Sequence, residues 1–145
     1  MVDTRTPQQR SAIMSRVRGK DTAPEMVVRR LVHAMGYRYK LHDPKLPGRP
    51  DLVFAGRRKI IFVHGCFWHG HGCRYGRLPK SRLEFWTAKI ERNRRRDRIL
   101  VAGLRKQGWS VLVLWQCKAR RLDQRDALRR RLDKFLSCSH PATTP

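Results

Sequence analysis

The chain has 145 residues, which is enough for one domain with a sizeable core. Its 34 Lys and Arg residues outnumber 11 Asp and Glu residues, and the net charge of +23 predicts a polyanionic partner. No apolar run approaches the roughly 18–20 residues of a membrane-spanning helix, and the basic N-terminus lacks the apolar centre of a signal peptide. We therefore expect a cytoplasmic protein without a membrane partner. In that compartment the four Cys residues favour metal binding or catalysis over disulfides.

The N-terminal third of the chain predicts an arm, a helix and a short strand. Residues 1–20 are basic and weakly patterned, and we expect a flexible arm that becomes ordered on a partner. Thr22 and Glu25 form a capping box with Pro24 in the first turn, and Gly36 fits the position after a helix end. Residues 37–41 predict a strand, and residues 43–50 a loop.

The rest of the chain alternates strands and helices. Residues 51–54 and 59–64 predict a hairpin, and residues 109–115 a strand buried on both faces. A second capping box at Ser81 and Glu84 predicts a long basic helix that runs to about Gln107, before Gly108. A last helix is predicted over residues 123–136, and residues 137–145 are expected to be disordered. The pattern indicates one α/β domain over residues 21–136, with a central mixed β-sheet flanked by helices.

The predicted hairpin brings an acid and an imidazole to one end of the sheet. If the turn is centred between Gly56 and Arg57, Asp51 lies opposite Phe62, and His64 is its diagonal neighbour roughly 7–8 Å away. A turn centred between Ala55 and Gly56 would keep the two side chains on the same face. One carboxylate and a backbone carbonyl suit Mg²⁺, because this ion keeps most of its waters. The alternative is that Asp51 is a solvated turn residue.

A cluster of cysteine and histidine follows the hairpin. Cys66, His69, His71 and Cys73 lie within eight residues, and Cys117 follows the last predicted strand. Three thiolates and one imidazole suit tetrahedral Zn²⁺ in a structural role, because no position stays open for substrate. The spacing leaves open which of the two histidines is the ligand. The alternative is a set of reduced cysteines beside incidental histidines.

Aromatic and basic residues near this cluster indicate contact with nucleic acid. Phe67 and Trp68 lie in a polar loop, and Trp86 lies in the first turns of the long basic helix. Exposed rings beside a positive surface suit stacking on bases or wedging between them, whereas the alternative is core packing. The long helix is basic nearly all round and has few acids to offset its charge, so phosphate contact is favoured over a merely solvated face.

The chain resembles the very short patch repair (Vsr) mismatch endonucleases from about Arg10 to Phe135. The matching segments are RSAIMSRVRGKDTAPE, LPGRPDLVF, IIFVHGCFWHGHGC, EFWTAKIERNRRRD and GWSVLVLWQC. The resemblance implies a restriction-endonuclease-like fold with a structural zinc site. Pro50 and Asp51 would be the shared part of its acidic motif, and residues 62–64 stand where other members of that fold carry Glu-x-Lys.

The same resemblance implies the reaction. The chain would recognise a T:G mismatch left by deamination of 5-methylcytosine, and it would nick the strand 5′ of the mismatched T with Mg²⁺ as cofactor. A single cut needs one active site, so we expect a monomer on double-stranded DNA, with mismatch-repair proteins as further partners. The alternatives are a site-specific restriction-type endonuclease of the same fold and a non-catalytic, zinc-stabilised DNA-binding module.

Individual roles follow from the resemblance as well. Asp51 would hold Mg²⁺ together with the backbone carbonyl of Val63, and His69 would be the general base or orient the attacking water. His64 and Glu25 would act through water or phosphate near the metal, and Asp97 would be a supporting acid. The Zn²⁺ ligands would be Cys66, His71, Cys73 and Cys117.

The DNA contacts implied by the resemblance are an aromatic wedge and three further residues. The wedge would be Phe67, Trp68 and Trp86, with Met14 acting from the opposite groove and Lys89 and Asn93 approaching the mismatched pair. Two departures from the family pattern leave these roles in place. Val63 replaces a common Thr but keeps its carbonyl, and Gly70 and Gly72 interrupt the His-rich run without removing a proposed ligand.

Overall fold

The computed structural model describes residues 22–138. The expected arm with Met14, and the part of the expected tail that follows Cys138, lie outside the described residues.

The first helix forms as its capping box predicts. Helix α1 spans Ala23–Ala34, and the hydroxyl of Thr22 accepts a hydrogen bond from the Glu25 N–H at 3.4 Å. The helix ends at Met35, and Gly36 follows with a φ of +89°, a left-handed conformation that glycine adopts without steric cost. The Thr22 cap therefore fixes the position of Glu25 in the first turn of α1.

Four strands form one mixed sheet in the order β1 (Lys40–Leu41), β2 (Leu52–Phe54), β3 (Lys59–His64) and β4 (Ser110–Trp115). The β1–β2 and β2–β3 pairs are antiparallel, and β3 pairs with β4 in parallel. This confirms the predicted mixed sheet. The first strand is shorter than predicted, because only two residues of the 37–41 segment join the ladder.

The hairpin has the first of the two turn centres that the sequence allowed. Leu52 pairs with Ile61 and Phe54 with Lys59, which centres the turn between residues 56 and 57. Continuing this ladder by one residue places Asp51 opposite Phe62. Asp51 itself lies in a bend just before β2, so its side chain is not held by the regular strand geometry.

The long helix begins later than predicted. Helix α2 spans Leu83–Lys106, and its N-cap is Arg82, which has a φ of +56° and makes no side-chain capping hydrogen bond. The predicted cap at Ser81 is therefore wrong, because the left-handed turn at Arg82 separates Ser81 from the first helical N–H groups. The predicted stop is confirmed, since Gly108 follows the helix with a φ of +93°.

Helices cover both faces of the sheet. After β4 come α3 (Gln116–Ala119), a 3₁₀ turn and α4 (Arg125–Ser137). One core joins the sheet to α1 and α4 through Val28, Val32, Leu52, Phe54, Ile61, Leu114, Leu128, Leu132 and Leu136. The other joins it to α2 through Val53, Ile60, Phe62, Leu104 and Val111. The two-sided burial of β4 is thus confirmed. Among the described helices, none is both long and apolar enough to cross a membrane.

Candidate active site and DNA-binding surface

Two carboxylates and a histidine meet where β2 begins. Glu25 of α1 is 1% exposed, and His42 Nε2 lies 2.9 Å from its Oε1 and 3.9 Å from Asp51 Oδ1. The other Asp51 oxygen, Oδ2, accepts a hydrogen bond from the Val63 N–H at 2.7 Å. We call Glu25, His42 and Asp51 the carboxylate cluster. Their ligand atoms all lie within 4.8 Å of one another, so the three residues could hold a metal ion.

The electrostatics of this cluster favour a bound cation. Burial raises the pKa of Asp51 to about 7, the hydrogen bond from Val63 opposes the rise, and Glu25 adds to it. A buried carboxylate and a half-buried one side by side are difficult to ionise together unless positive charge offsets them. Arg29 supplies part of that charge, with its Nη1 3.2 Å from Glu25 Oε2. The oxygen-rich donor set also fits a hard divalent ion.

A second cluster forms where β3 ends. The rings of His64 and His69 stack with centroids 3.8 Å apart, and His69 Nδ1 lies 2.6 Å from Asp97 Oδ2 on α2. Burial, with a contribution from neighbouring His69, lowers the pKa of His64 to about 4. His64 is therefore neutral near pH 7, and its ring lies against the His69–Asp97 pair. We call these three residues the histidine cluster.

Asp51 and His64 do not share a cluster, although both lie at the expected end of the sheet. Asp51 contacts Glu25 of α1, whereas His64 stacks on His69 beside α2, and these helices cover opposite faces. The regular pleat would have placed both side chains on one face, and the bend at Asp51 changes this. The end of β3 joins the two clusters, because Val63 bonds to Asp51 and His64 follows it.

A basic cavity adjoins the histidine cluster. It has a volume of about 520 Å³ and is lined by His64, His69, Asp97 and residues of α2 that include Arg94, Arg98 and Arg105. Guanidinium groups bind phosphate oxygens well, because their planar donors match the geometry of the oxyanion. The cavity therefore adds positive charge beside the candidate general base.

Three cysteines and a histidine form a third cluster. The ligand atoms of Cys66, His71, Cys73 and Cys117 all lie within 4.8 Å of one another, so the set could hold a metal ion. His71 is the histidine of this cysteine cluster, and His69 is tied to Asp97 instead. The loop is folded back on itself, because the His71 N–H donates to the Cys66 carbonyl at 2.9 Å.

Neighbouring groups hold the cysteine cluster in place. The Trp115 ring stacks on His71 with centroids 4.3 Å apart, and it meets the His64 ring edge-on at 5.4 Å. The Cys66 N–H donates to the side-chain oxygen of Gln116 at 3.4 Å. The end of β4 thus contacts the cysteine and histidine clusters at once.

Four aromatic rings from the Cys/His loop and the start of α2 form a patch. The Phe67 ring lies 5.0 Å from Trp68 and 5.1 Å from Trp86, and Phe85 lies 5.2 Å from Trp86. Phe67 and Trp68 are half-buried against the other rings, whereas the sequence predicted exposed side chains. Phe85 is 41% exposed. We call these four residues the aromatic patch.

Two polar residues of α2 support the aromatic patch. Lys89 Nζ lies 5.7 Å from the centroid of the Trp68 ring, and Asn93 Nδ2 donates to the Trp68 carbonyl at 2.9 Å. Asn93 thereby fixes the backbone of the loop that carries Trp68. Both residues were predicted to approach DNA, and the structure places both against the patch.

Sequence reasoning missed His42 and Phe85. Phe85 precedes Trp86 in a helix, and neither hydrophobic periodicity nor its neighbours distinguished it. His42 directly follows β1, and pairing that strand with β2 in antiparallel register would have placed it across from Asp51. That signal was available only once the β1–β2 pairing was known.

Comparison with known proteins identifies the family. The sequence profile of the DNA mismatch endonuclease Vsr matches residues 2–75. The chain is 38% identical to the DNA mismatch endonuclease Vsr of Escherichia coli K12 over 138 residues, which cover 94% of this chain and 88% of that protein. The chain belongs to the Vsr family of DNA mismatch endonucleases.

Other Vsr-family relatives are named as nicking enzymes. The type II nicking enzyme V.XorIIP of Xanthomonas oryzae pv. oryzae is 54% identical over 139 residues, which cover 96% of this chain and all of that protein. V.NmeAIP of Neisseria meningitidis is 38% identical over 136 residues, or 94% of this chain and 95% of that protein. Family membership makes this chain a DNA endonuclease, and the expected resemblance is confirmed.

Proposed function

We propose that this Vsr-family chain is a Mg²⁺-dependent endonuclease that recognises T:G mismatches from deaminated 5-methylcytosine and nicks the strand 5′ of the mismatched T. Such a nick would start very short patch repair. The observation that carries the proposal is the end of β3, where Val63 contacts the carboxylate cluster and His64 belongs to the histidine cluster. A candidate metal site and a candidate general base therefore lie at one strand end.

The catalytic roles follow from these contacts. Asp51 and the carbonyl of Val63 would hold Mg²⁺, with Glu25 beside them, and the bound ion would supply Lewis-acid polarisation of the scissile phosphate. His69 would accept the proton of the attacking water at Nε2, because its Nδ1 is tied to Asp97 at 2.6 Å. Asp97 then stabilises the imidazolium, and the neutral His64 ring limits rotation of His69 by stacking on it.

The cysteine cluster would hold Zn²⁺ in a structural role. With Zn–S bonds of about 2.3 Å and Zn–N bonds of about 2.0 Å, neighbouring ligand atoms of a tetrahedron lie about 3.5 Å apart. Cys117 Sγ lies 3.6 Å from His71 Nδ1, which fits such a site. Four protein ligands leave no open position, so zinc would fix the loop that carries Phe67, Trp68 and His69.

The aromatic patch would act as a wedge at the mismatch. Separating a base step costs on the order of a few kcal/mol, and less at a poorly stacked T:G pair. Phe67, Trp68 and Trp86 would insert beside the T:G pair, and Met14 would act from the opposite groove. Lys89 and Asn93 would then lie close to the mismatched bases.

The remaining expectations belong to the same proposal. One active site suffices for a single-strand cut, so the enzyme would act as a monomer, with mismatch-repair proteins as further partners. Its substrate would be chromosomal DNA, which implies a cytoplasmic enzyme. The mixed sheet flanked by helices is compatible with a restriction-endonuclease-like fold, in which residues 21–136 would form a single domain, with an arm before it and a tail after it.

A cleavage assay on end-labelled duplexes tests the proposal. With Mg²⁺ present, we expect one nick 5′ of the T in a T:G duplex and no cut in matched A:T or G:C duplexes. Asp51→Asn should lose nicking and keep T:G affinity within about tenfold, or about 1.4 kcal/mol. Asp126→Asn, at an exposed carboxylate of α4, is the matched control and should cut normally.

Other outcomes identify the alternatives. Double-strand cleavage of matched DNA would favour a restriction-type endonuclease. Tight binding without cleavage by the wild type would favour a non-catalytic module. Wild-type nicking by Asp51→Asn would refute the proposed mechanism.

A further inference from the structure

His42 is the cross-strand neighbour of Asp51. Lys40 pairs with Val53 and Leu41 with Leu52, so the β1–β2 register continues to a pairing of His42 with Asp51. A backbone hydrogen bond from the His42 N–H to the Asp51 carbonyl, at 3.3 Å, confirms that pairing. The backbone therefore holds the imidazole beside the carboxylate that the proposed function assigns to the metal.

The distances around His42 Nε2 match those between ligands of one metal ion. This atom lies 2.9 Å and 3.1 Å from the two Glu25 carboxylate oxygens and 3.9 Å from Asp51 Oδ1. For metal–ligand bonds of about 2.0–2.2 Å, adjacent positions of an octahedron lie about 3.0 Å apart and opposite positions about 4.2 Å apart. The two distances to Glu25 equal the separation of adjacent positions, and the 3.9 Å distance to Asp51 lies between the adjacent and opposite values.

The backbone of His42 is also in an uncommon conformation. Its φ is +46°, in the left-handed region that residues with a side chain seldom adopt. Such conformations persist where the surroundings hold them, and they concentrate at active sites and ligand clamps. On this backbone the imidazole of His42 lies against both carboxylates.

We propose that His42 is a ligand of the divalent ion held beside Asp51 and Glu25, and that it shifts this site from Mg²⁺ towards Mn²⁺ and other transition metals. The inference rests on the proposed function, because that function places the metal at Asp51. Oxygen ligands suit Mg²⁺, whereas an imidazole nitrogen binds transition-metal ions better. One nitrogen among oxygen donors therefore changes relative affinity without excluding Mg²⁺.

A metal-binding experiment without DNA tests the inference. The full chain, with its cysteine cluster loaded with zinc, is titrated with Mn²⁺, and the loss of the free-ion signal is followed by electron paramagnetic resonance. Mg²⁺ affinity is obtained by displacement of Mn²⁺. Pulsed electron paramagnetic resonance on the wild type should show coupling of Mn²⁺ to a ¹⁴N nucleus. This measurement can be made without any variant.

Variants of the protein distinguish a residue that binds the metal ion from one that only lies beside the metal site. His42→Gln keeps a donor for Glu25 and offers an oxygen in place of nitrogen. This variant should show no ¹⁴N coupling. Its Mn²⁺ affinity should fall about tenfold, whereas its Mg²⁺ affinity should fall less than about threefold. His33→Gln, at an exposed position in the last turn of α1, is the matched control and should match the wild type. Asp51→Asn should lose Mn²⁺ binding at this site.

The outcomes also separate this inference from the proposed function. If ¹⁴N coupling is absent from the wild type, or persists in His42→Gln, the assignment of His42 is wrong, even though T:G nicking with Mg²⁺ would leave the proposed function intact. Equal loss of Mn²⁺ and Mg²⁺ affinity in His42→Gln would refute the selectivity. Nitrogen-coupled Mn²⁺ in a protein that cuts no mismatched duplex would support the site and overturn the function.

Discussion

Gly76 lies so close to the backbone of the cysteine-cluster loop that one added methyl group should disrupt it. A Cβ built at Gly76 would lie 1.9 Å from the His71 carbonyl oxygen and 3.3 Å from the Cys66 carbonyl oxygen. Gly72, in the same loop, would place its Cβ in open space, with nothing within 4 Å. Neither glycine has a positive φ, so alanine brings no backbone strain at either position. The two substitutions therefore isolate the effect of the steric clash.

The size of the effect follows from the overlap. Relieving the 1.9 Å contact requires a shift of about 1 Å or more in backbone that is held by the His71-to-Cys66 hydrogen bond. Overpacking costs about 1–3 kcal/mol and a weakened hydrogen bond about 1 kcal/mol, so we expect about 2–4 kcal/mol. At about 3 °C per kcal/mol for a chain of this size, the Tm of Gly76→Ala should fall by about 6–12 °C.

Thermal unfolding and metal retention measure the effect together. Gly76→Ala should also lose metal to a competing chelator faster than the wild type, because the clash displaces His71, one of the four candidate ligands. Gly72→Ala should melt at the wild-type temperature or slightly above it, since alanine restricts the unfolded chain. If Gly76→Ala melts within about 1 °C of Gly72→Ala and keeps its metal equally well, the close packing described for this loop is wrong.

Three further predictions concern the metal, the charge and the wedge. Freshly purified protein should contain stoichiometric zinc by elemental analysis. Cys117→Ser should lower both the zinc content and the Tm. Cys138→Ser, at an exposed cysteine outside the cluster, should change neither. If about 6–8 phosphates are neutralised, a plot of the logarithm of the DNA-binding constant against the logarithm of salt concentration should have a slope of about −5 to −7. A slope shallower than about −2 would show that most of the +23 charge faces away from DNA. Trp68→Ala should reduce the preference for T:G over A:T while non-specific binding persists, and an unchanged preference would contradict the wedge.

Local patterns in the sequence predicted most of the secondary structure. The capping box at Thr22, the hairpin and the glycine stops at Gly36 and Gly108 were correct, because each depends on residues close in the chain. The second capping box at Ser81 failed for a reason that is also local but not visible in the pattern. Arg82 adopts a left-handed conformation, with its guanidinium over the Phe85 ring at 4.4 Å, and the helix therefore begins at Leu83.

The sequence by itself determined which chemical groups are present and which of them are neighbours along the chain: the carboxylate before β2, the histidine at the end of β3, the Cys/His loop and the basic helix. Only the tertiary structure decided how these groups divide into clusters. The bend at Asp51 turns its carboxylate to Glu25 and His42, whereas α2 brings Asp97 to His69 and leaves His71 to the cysteines. These contacts join residues distant in the chain, so they depend on which faces of the sheet the helices cover, and periodicity along one segment does not contain that information.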